Sequence, residues 1–367
     1  MTKKVLLMGV ILTLFLSMQA YSFAAADDQT AIELDGTKIK AAAYIDEGNI
    51  YLPLRAVSEA LGYKVRWSGK DNPISVSKTG ENIMIDLKNY TITANDHTYY
   101  MSGDYLDNAA NKDTTVENTI YMRANFFSEN LALKTQWDKS NEKVKLEKTT
   151  ENKITIKTIK EASENEEIKM TLQYPQINGL PDQAVQENIN SVFKKAADTT
   201  RNEGLQNADE MKKDMASGYS GSPNKCESYF DYKLKYNQNG LLSLIFLDYQ
   251  YTGGAHGMTL QSSYTFDLKT GKAYNLQDLF NSDADYVLYI SNIVGNRITE
   301  GVKEGTLYEL TPFQAIKDDQ DFYLSGNAVV VYFQQYEYFP YAAGIQEFPI
   351  DFSTLQDMLK PDFGFLK

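Results

Sequence analysis

The hydrophobic pattern of this chain changes period several times, and each change predicts an element. An apolar run from Val5 to Leu16 opens it behind Lys3 and Lys4. Further on, a short strand-like stretch, Asn49 to Leu52, leads into Leu54, Val57 and Leu61, which recur at helical spacing. Gly62 suits a left-handed helix stop and Pro53 a first turn. Thr119 to Met122 leads in the same way into Phe127 and Leu131. A strand carrying a tryptophan follows each helix, then a polar turn and another strand, Ile74 to Ser77 in one place and Lys143 to Leu146 in the other. Ile83 to Leu87 and Tyr90 to Ala94 read as two more strands joined through Lys88-Asn89.

Beyond the polar stretch Lys148 to Asn152 the pattern becomes mostly alternating. Ile154 to Thr158 and Glu167 to Tyr174 read as strands around an acidic turn, Glu161 to Glu166. Pro181 is placed at the first turn of a helix whose stripe is Val185, Ile189, Val192, Phe193 and Ala196, and a stripe of that kind needs a sheet to cover it. The helix is expected to continue past Arg201 and give way to a loop from about 216 to 225. Cys226 to Tyr236 and Leu241 to Tyr251 form a hairpin through Asn237-Gln-Asn-Gly240. Thr259 to Asp267 is a strand, Asn275 to Phe280 a helical turn, Tyr286 to Glu300 a helix, Ala328 to Tyr336 a buried strand, Ile345 to Ile350 a last strand and Ser353 to Leu359 a last helix. The reading is an α+β protein of two domains after a leader at 1–26. The first, 27–150, is an internally duplicated small α+β unit, and the second, 151–367, a mainly antiparallel sheet packed by helices.

The duplication rests on an ungapped match. Ile50 to Trp67 recurs 70 residues later as Ile120 to Trp137, with Tyr51/Tyr121, Ser58/Ser128, Glu59/Glu129, Leu61/Leu131 and Lys64/Lys134 coinciding. Trp67 and Trp137 take equivalent core-edge positions, either packed against the helices or forming an aromatic platform for a sugar or peptide.

Lys3 and Lys4, the apolar run and Ala24-Ala25-Ala26 follow the layout of a secretory signal cleaved before Asp27. The run is shorter than the roughly 20 residues that span a bilayer, so no membrane span is expected after cleavage. The formal charge is -13, and loss of Lys3 and Lys4 takes it to -15. That balance excludes nucleic acid and anionic lipid as partners and favours cationic ones. Cys226 is the single cysteine, which rules out an intrachain disulfide, and its alternating surroundings predict a buried apolar role.

Three places carry candidate chemistry. In Tyr251-Thr-Gly-Gly-Ala-His-Gly257, His256 is a possible base or ligand, while Gly253, Gly254 and Gly257 suit a tight connection. The series Tyr332, Phe333, Tyr336, Tyr338, Phe339 and Tyr341 around Pro340 divides between core and a protein-binding surface. The acidic residues Asp278, Asp283, Asp285, Asp318, Asp319 and Asp321 lack the spacing of a calcium loop and read as a solvated face. The expected binding residues are Tyr251, Gly253, Gly254, His256, Tyr332, Tyr336, Tyr338 and Tyr341, with no catalytic residue, metal or cofactor.

Leu52-Pro53-Leu54-Arg55, Glu59-Ala60-Leu61-Gly62-Tyr63 and Val65-Arg66-Trp67 resemble the copper amine oxidase N-terminal-like domain of secreted and cell-wall proteins of Gram-positive bacteria, over roughly 30 to 150. That module lies outside the copper centre, so the resemblance implies an accessory element and no copper or oxidase chemistry. The second copy departs from the motif at Arg123 and Asn125. Thr252-Gly-Gly-Ala-His-Gly257, Phe266 to Phe280 and Val331 to Pro349 resemble the extracellular region shared by lysozyme-sensing anti-sigma factors and accessory regions of peptidoglycan deacetylases, over about 155 to 355. This second resemblance implies binding of lysozyme, a basic protein, or of a wall component. Only four residues precede the apolar run and no chain remains for a deacetylase domain, so neither a complete anti-sigma factor nor a complete deacetylase is expected. The function expected is that of a secreted or wall-associated noncatalytic binding protein, with a cell-wall hydrolase and a structural or assembly protein as alternatives.

Overall fold

The computed structural model describes residues 30–46, 49–69, 71–101, 105, 115–116, 119–217 and 225–366. The expected leader and residues 218–224 of the expected loop lie outside them. In chain order the first part holds β1 (Thr30–Leu34), β2 (Thr37–Asp46), β3 (Asn49–Pro53), α1 (Leu54–Ala60) and β4 (Lys64–Arg66). It continues with β5 (Ile74–Lys78), β6 (Glu81–Asp86), β7 (Thr91–Ala94), β8 (His97–Tyr100), β9 (Thr115–Val116), β10 (Thr119–Arg123), α2 (Ala124–Asn130), β11 (Leu133–Asp138) and β12 (Lys143–Lys148). The second part holds β13 (Thr155–Glu164), β14 (Ile168–Asn178), α3 (Gln183–Ala216), β15 (Cys226–Gln238), β16 (Leu241–Tyr251) and β17 (Met258–Asp267). Then come α4 (Tyr286–Glu304), β18 (Phe322–Ser325), β19 (Ala328–Phe333), β20 (Gln346–Asp351) and α5 (Phe352–Leu355).

The two similar segments share one local order of strand, seven-residue helix and strand. Their opening strands β3 and β10 pair antiparallel, with Leu52 opposite Met122. Their closing strands part company: β4 starts a five-stranded meander with β5 to β8, while β11 is the edge of a seven-stranded sheet ordered β11-β12-β1-β2-β3-β10-β9. Trp67 and Trp137 are partly buried against the single core that both sheets share.

The second part stacks in four layers. α3 lays Ile189, Phe193 and Ala197 on Leu172, Phe230, Phe246 and Phe266 of the sheet β13-β14-β15-β16-β17. Tyr323, Val330 and Tyr332 of the three-stranded sheet β18-β19-β20 meet the opposite face at Ile245 and Leu247. The outer face of that small sheet buries Leu324, Val329, Val331 and Phe333 against Ile290, Val294 and Ile298 of α4. Among the described strands of this second part, only β14 and β15 pair parallel, because α3 carries the chain between them. Asn239 and Gly240 take the positive φ values, 55° and 75°, that a tight hairpin turn requires. Cys226 is buried beside Met211.

Three expectations shift. Asp182, whose carboxylate accepts from the Ala184 and Val185 amides, caps α3, so Pro181 stands before the helix instead of inside it. β19 stops at Phe333, because Gln334 to Glu337 closes a turn held by Gln334 N–H to the Glu337 carboxylate. The last helix ends after one turn, since the following chain hydrogen-bonds back to residues 279 to 281: Asn281 N donates to Met358 O and Lys360 N to Leu279 O.

Buried polar contacts join the two parts. His97 Nε2 lies 2.6 Å from Asp231 Oδ1, and the imidazole stacks on Tyr232 at 4.1 Å. Gln173 donates to the Thr98 carbonyl at 3.0 Å. Lys235 and Glu129 form an ion pair at 3.1 Å with both side chains 2% exposed, and Glu129 also accepts from the Tyr105 and Ser325 hydroxyls. Two buried charges are tolerated together because each supplies the other's solvation; removing one strands its partner. Lys235→Met should therefore cost about 3–5 kcal/mol in urea unfolding, and Lys235→Met with Glu129→Met should recover most of it. A single variant as stable as the parent would contradict this.

Candidate functional site

β17 is an edge strand, so one side of its backbone needs partners from outside the sheet. Glutamine side chains provide them. The Gln334 amide donates to the Gln261 carbonyl at 2.7 Å and accepts from the Gln261 N–H at 3.1 Å, as a neighbouring peptide group would. Gln335 Oε1 accepts from the Thr259 N–H at 3.1 Å. Gln261 itself is held through its side chain to Glu347 at 2.9 Å. This clamp fixes the start of the turn 334–341 against the strand that leaves the glycine turn 252–257.

The two turns thereby meet. His256 stacks on Tyr341, with ring centres 3.9 Å apart, and Tyr336 lies 5.9 Å from Tyr341. His256 Nδ1–H donates to the Gly257 carbonyl at 2.9 Å, which leaves Nε2 to accept from the Tyr336 hydroxyl at 3.4 Å. Tyr336 sits at φ +66°, a left-handed conformation held by its N–H bond to the Phe339 carbonyl. Tyr251 closes the glycine turn by donating to the Gly254 carbonyl at 2.9 Å. Gly253 takes φ +84°, and a Cβ at Gly257 would stand 2.4 Å from the Tyr249 ring. Gly253 is thus dictated by its backbone and Gly257 by packing, while a Cβ at Gly254 would meet nothing within 4 Å. Burial raises the Tyr249 phenol above its ordinary range.

The expected binding residues therefore divide. Tyr251, Gly253, Gly254, His256, Tyr336 and Tyr341 come together, with His256 exposed and Tyr336 49% exposed. Tyr332 does not join them. It is 1% exposed between the two sheets, its hydroxyl on Ser263, and burial drives its phenol pKa up. It is corrected from surface to core, because β19 is still a two-sided buried strand at that position. Tyr338 is half-buried and turned away, packed on Phe313 and Phe333 at 5.4 and 5.0 Å on the α4 side. Tyr249, Gln334 and Gln335 were not anticipated. The adjacent glutamines after a buried strand were the available signal, but their use depends on which strand edge lies opposite.

Neither ring nitrogen of His256 meets a carboxylate, so the histidine has no acid to orient it as a general base. Two of the six acidic residues are engaged locally. Asp278 accepts from the Asn275 N–H and Lys272, and Asp285 caps α4 through the Leu288 N–H. Burial raises the carboxyl of Asp321 above its usual range. Among the described residues, no group of three or more His, Cys, Asp or Glu stands where it could hold a metal ion.

Removing the Gln334 amide should free the turn before it harms the core. Gln334→Ala is expected to raise chymotryptic cleavage after Tyr336 or Tyr341 by about tenfold, at a cost of only about 1–3 kcal/mol in global stability. Unchanged cleavage would mean that the clamp does not hold the turn.

Comparison with known proteins finds similarity in three stretches. Residues 33–146 match the copper amine oxidase N-terminal domain, 161–259 the family described as deacetylase PdaC, and 277–353 a protein family of unknown function, DUF3298. The peptidoglycan-N-acetylmuramic acid deacetylase PdaC of Bacillus subtilis is 28% identical over 144 residues, covering 36% of this chain and 29% of the deacetylase. The anti-sigma-V factor RsiV of the same organism is 28% identical over 214 residues, covering 56% of this chain and 70% of RsiV. A DUF3298-family protein from Bacteroides fragilis aligns in structure with TM-score 0.48 and 18% identity, over 60% of this chain and 99% of that one. Among the described residues, no helix is long and apolar enough to cross a membrane. This chain is built of a copper amine oxidase N-terminal-like domain followed by a region similar to parts of PdaC and RsiV.

Proposed function

We propose that this chain is a secreted, noncatalytic binding protein of the Gram-positive cell envelope. Its region from about 151 recognises a basic protein such as lysozyme, and its region 27–150, two copies of one unit, serves as a spacer or wall-associated element. The observation that carries the reading is the paired-turn surface of Tyr251, His256, Tyr336 and Tyr341. It is aromatic, partly exposed and ordered before any partner arrives. Aromatic side chains fixed in this way give contact area at low entropic cost, and the chain's charge of -13 steers cationic proteins toward it. A deacetylase reading is weaker, because the similarity to PdaC spans 29% of that enzyme and His256 lacks a carboxylate partner.

Calorimetric titration of residues 27–367 with C-type lysozyme tests this at low and physiological salt. Micromolar or tighter binding is expected, weaker at the higher salt. Tyr336→Ala or Tyr341→Ala should each weaken it by about tenfold or more. Absence of heat at both salts would remove lysozyme as the partner, and binding indifferent to both variants would remove the surface.

A further inference from the structure

A second candidate site lies where the two parts of the chain meet. A cleft of about 630 Å³ separates the second tryptophan unit from the three-stranded sheet, and Trp137 stands in its wall. The cleft continues past Trp137 into a neighbouring hollow of about 750 Å³, sharing Lys139, Asn327 and Asp351 with it. Four buried side-chain polar atoms among the described residues lack any partner, and two of them, Asn125 Oδ1 and Thr135 Oγ1, belong to residues lining this cleft. Thr135 is 8% exposed. A buried oxygen without a hydrogen bond costs stability, so its persistence at a cavity wall calls for an explanation outside the fold.

We infer that this cleft binds a neutral, N-acetylated glycan. The half-buried indole of Trp137 offers a flat apolar face for the C–H face of a pyranose ring, while Asn125 and Thr135 offer an acceptor and a hydroxyl for sugar hydroxyl and acetamido groups. Asn327 and Asp351, an amide and a carboxylate 3.4 Å apart, stand where the two hollows join and can bracket adjacent hydroxyls. With Glu129 already neutralised by its ion pair to Lys235, the remaining charges of the wall balance, Arg123 and Lys139 against Glu347 and Asp351, which favours an uncharged ligand over an ion. Arg123 is already occupied in part, its Nε donating to Tyr51 at 3.0 Å. Along β20 an extended peptide is disfavoured, because Pro349 stands at the cleft with no N–H to give and its carbonyl taken by Arg297. The inference does not rest on the paired-turn surface or on lysozyme, although Glu347 lines the cleft and also holds Gln261 beneath that surface.

The test uses the secreted chain with Trp67→Phe, which leaves Trp137 as the sole indole. Titration with an N-acetylglucosamine tetrasaccharide should shift its fluorescence saturably, with equilibrium dialysis as the second readout. Thr135→Val keeps the volume and removes the orphan hydroxyl, so it should raise the thermal midpoint while weakening the saccharide about threefold or more. Tyr336→Ala should leave saccharide binding unchanged. Three results would each overturn the inference: no saturable binding by either readout, a raised midpoint with unaltered affinity, or binding of a wall-type tetrapeptide but not of the saccharide.

Discussion

The free edge of β17 governs the surface at this end of the molecule. An exposed strand edge invites pairing with any extended segment, and its unpaired amides are costly if covered without replacement. Here the replacement is two glutamine side chains from the residues directly after β19. Because an amide side chain is shorter than a strand, it satisfies the backbone without continuing the sheet. The chain is then free to turn, and the turn brings Tyr336 and Tyr341 over His256. Edge protection and the construction of an aromatic surface are one event.

That surface is stiff because its supports are layered. The sheet holding β17 is packed by α3 on one face and by the small sheet on the other, so the strand to which both turns are tied is itself fixed between two cores. The first part of the chain is tied to the same sheet through β15, by His97 on Asp231 and Glu129 on Lys235. A chain with 49 acidic and 36 basic residues gains little from further surface charge pairs, and these two links are effective because they are enclosed.

Much of this was legible in the residues. The hairpin at Asn237 to Gly240, the helices beginning near 183 and 286 and the strand from 258 follow from period and turn chemistry. The buried state of Cys226 followed from alternation. β18 escaped notice because Phe322 to Ser325 is only four residues long, although Gly326-Asn327 between it and β19 is a hairpin signal. The aromatic series could not be divided by sequence, since strand alternation places Tyr332 inward only while β19 lasts, and its end at Phe333 depends on the tertiary contact of Gln334 with β17. His97 and Asp231 are 134 residues apart, and no local pattern announces such a pair. Nor does one announce that the strands after the two tryptophan helices join different sheets.

The central claim is that two turns, joined through one strand edge, form the face that meets a basic protein partner. Hydrogen exchange of residues 27–367, free and with saturating lysozyme, reads that face directly. The account predicts added protection at the amides of 249–261 and 334–341 and little change near Trp137. Protection confined to the first part of the chain, or none at either turn, would contradict it.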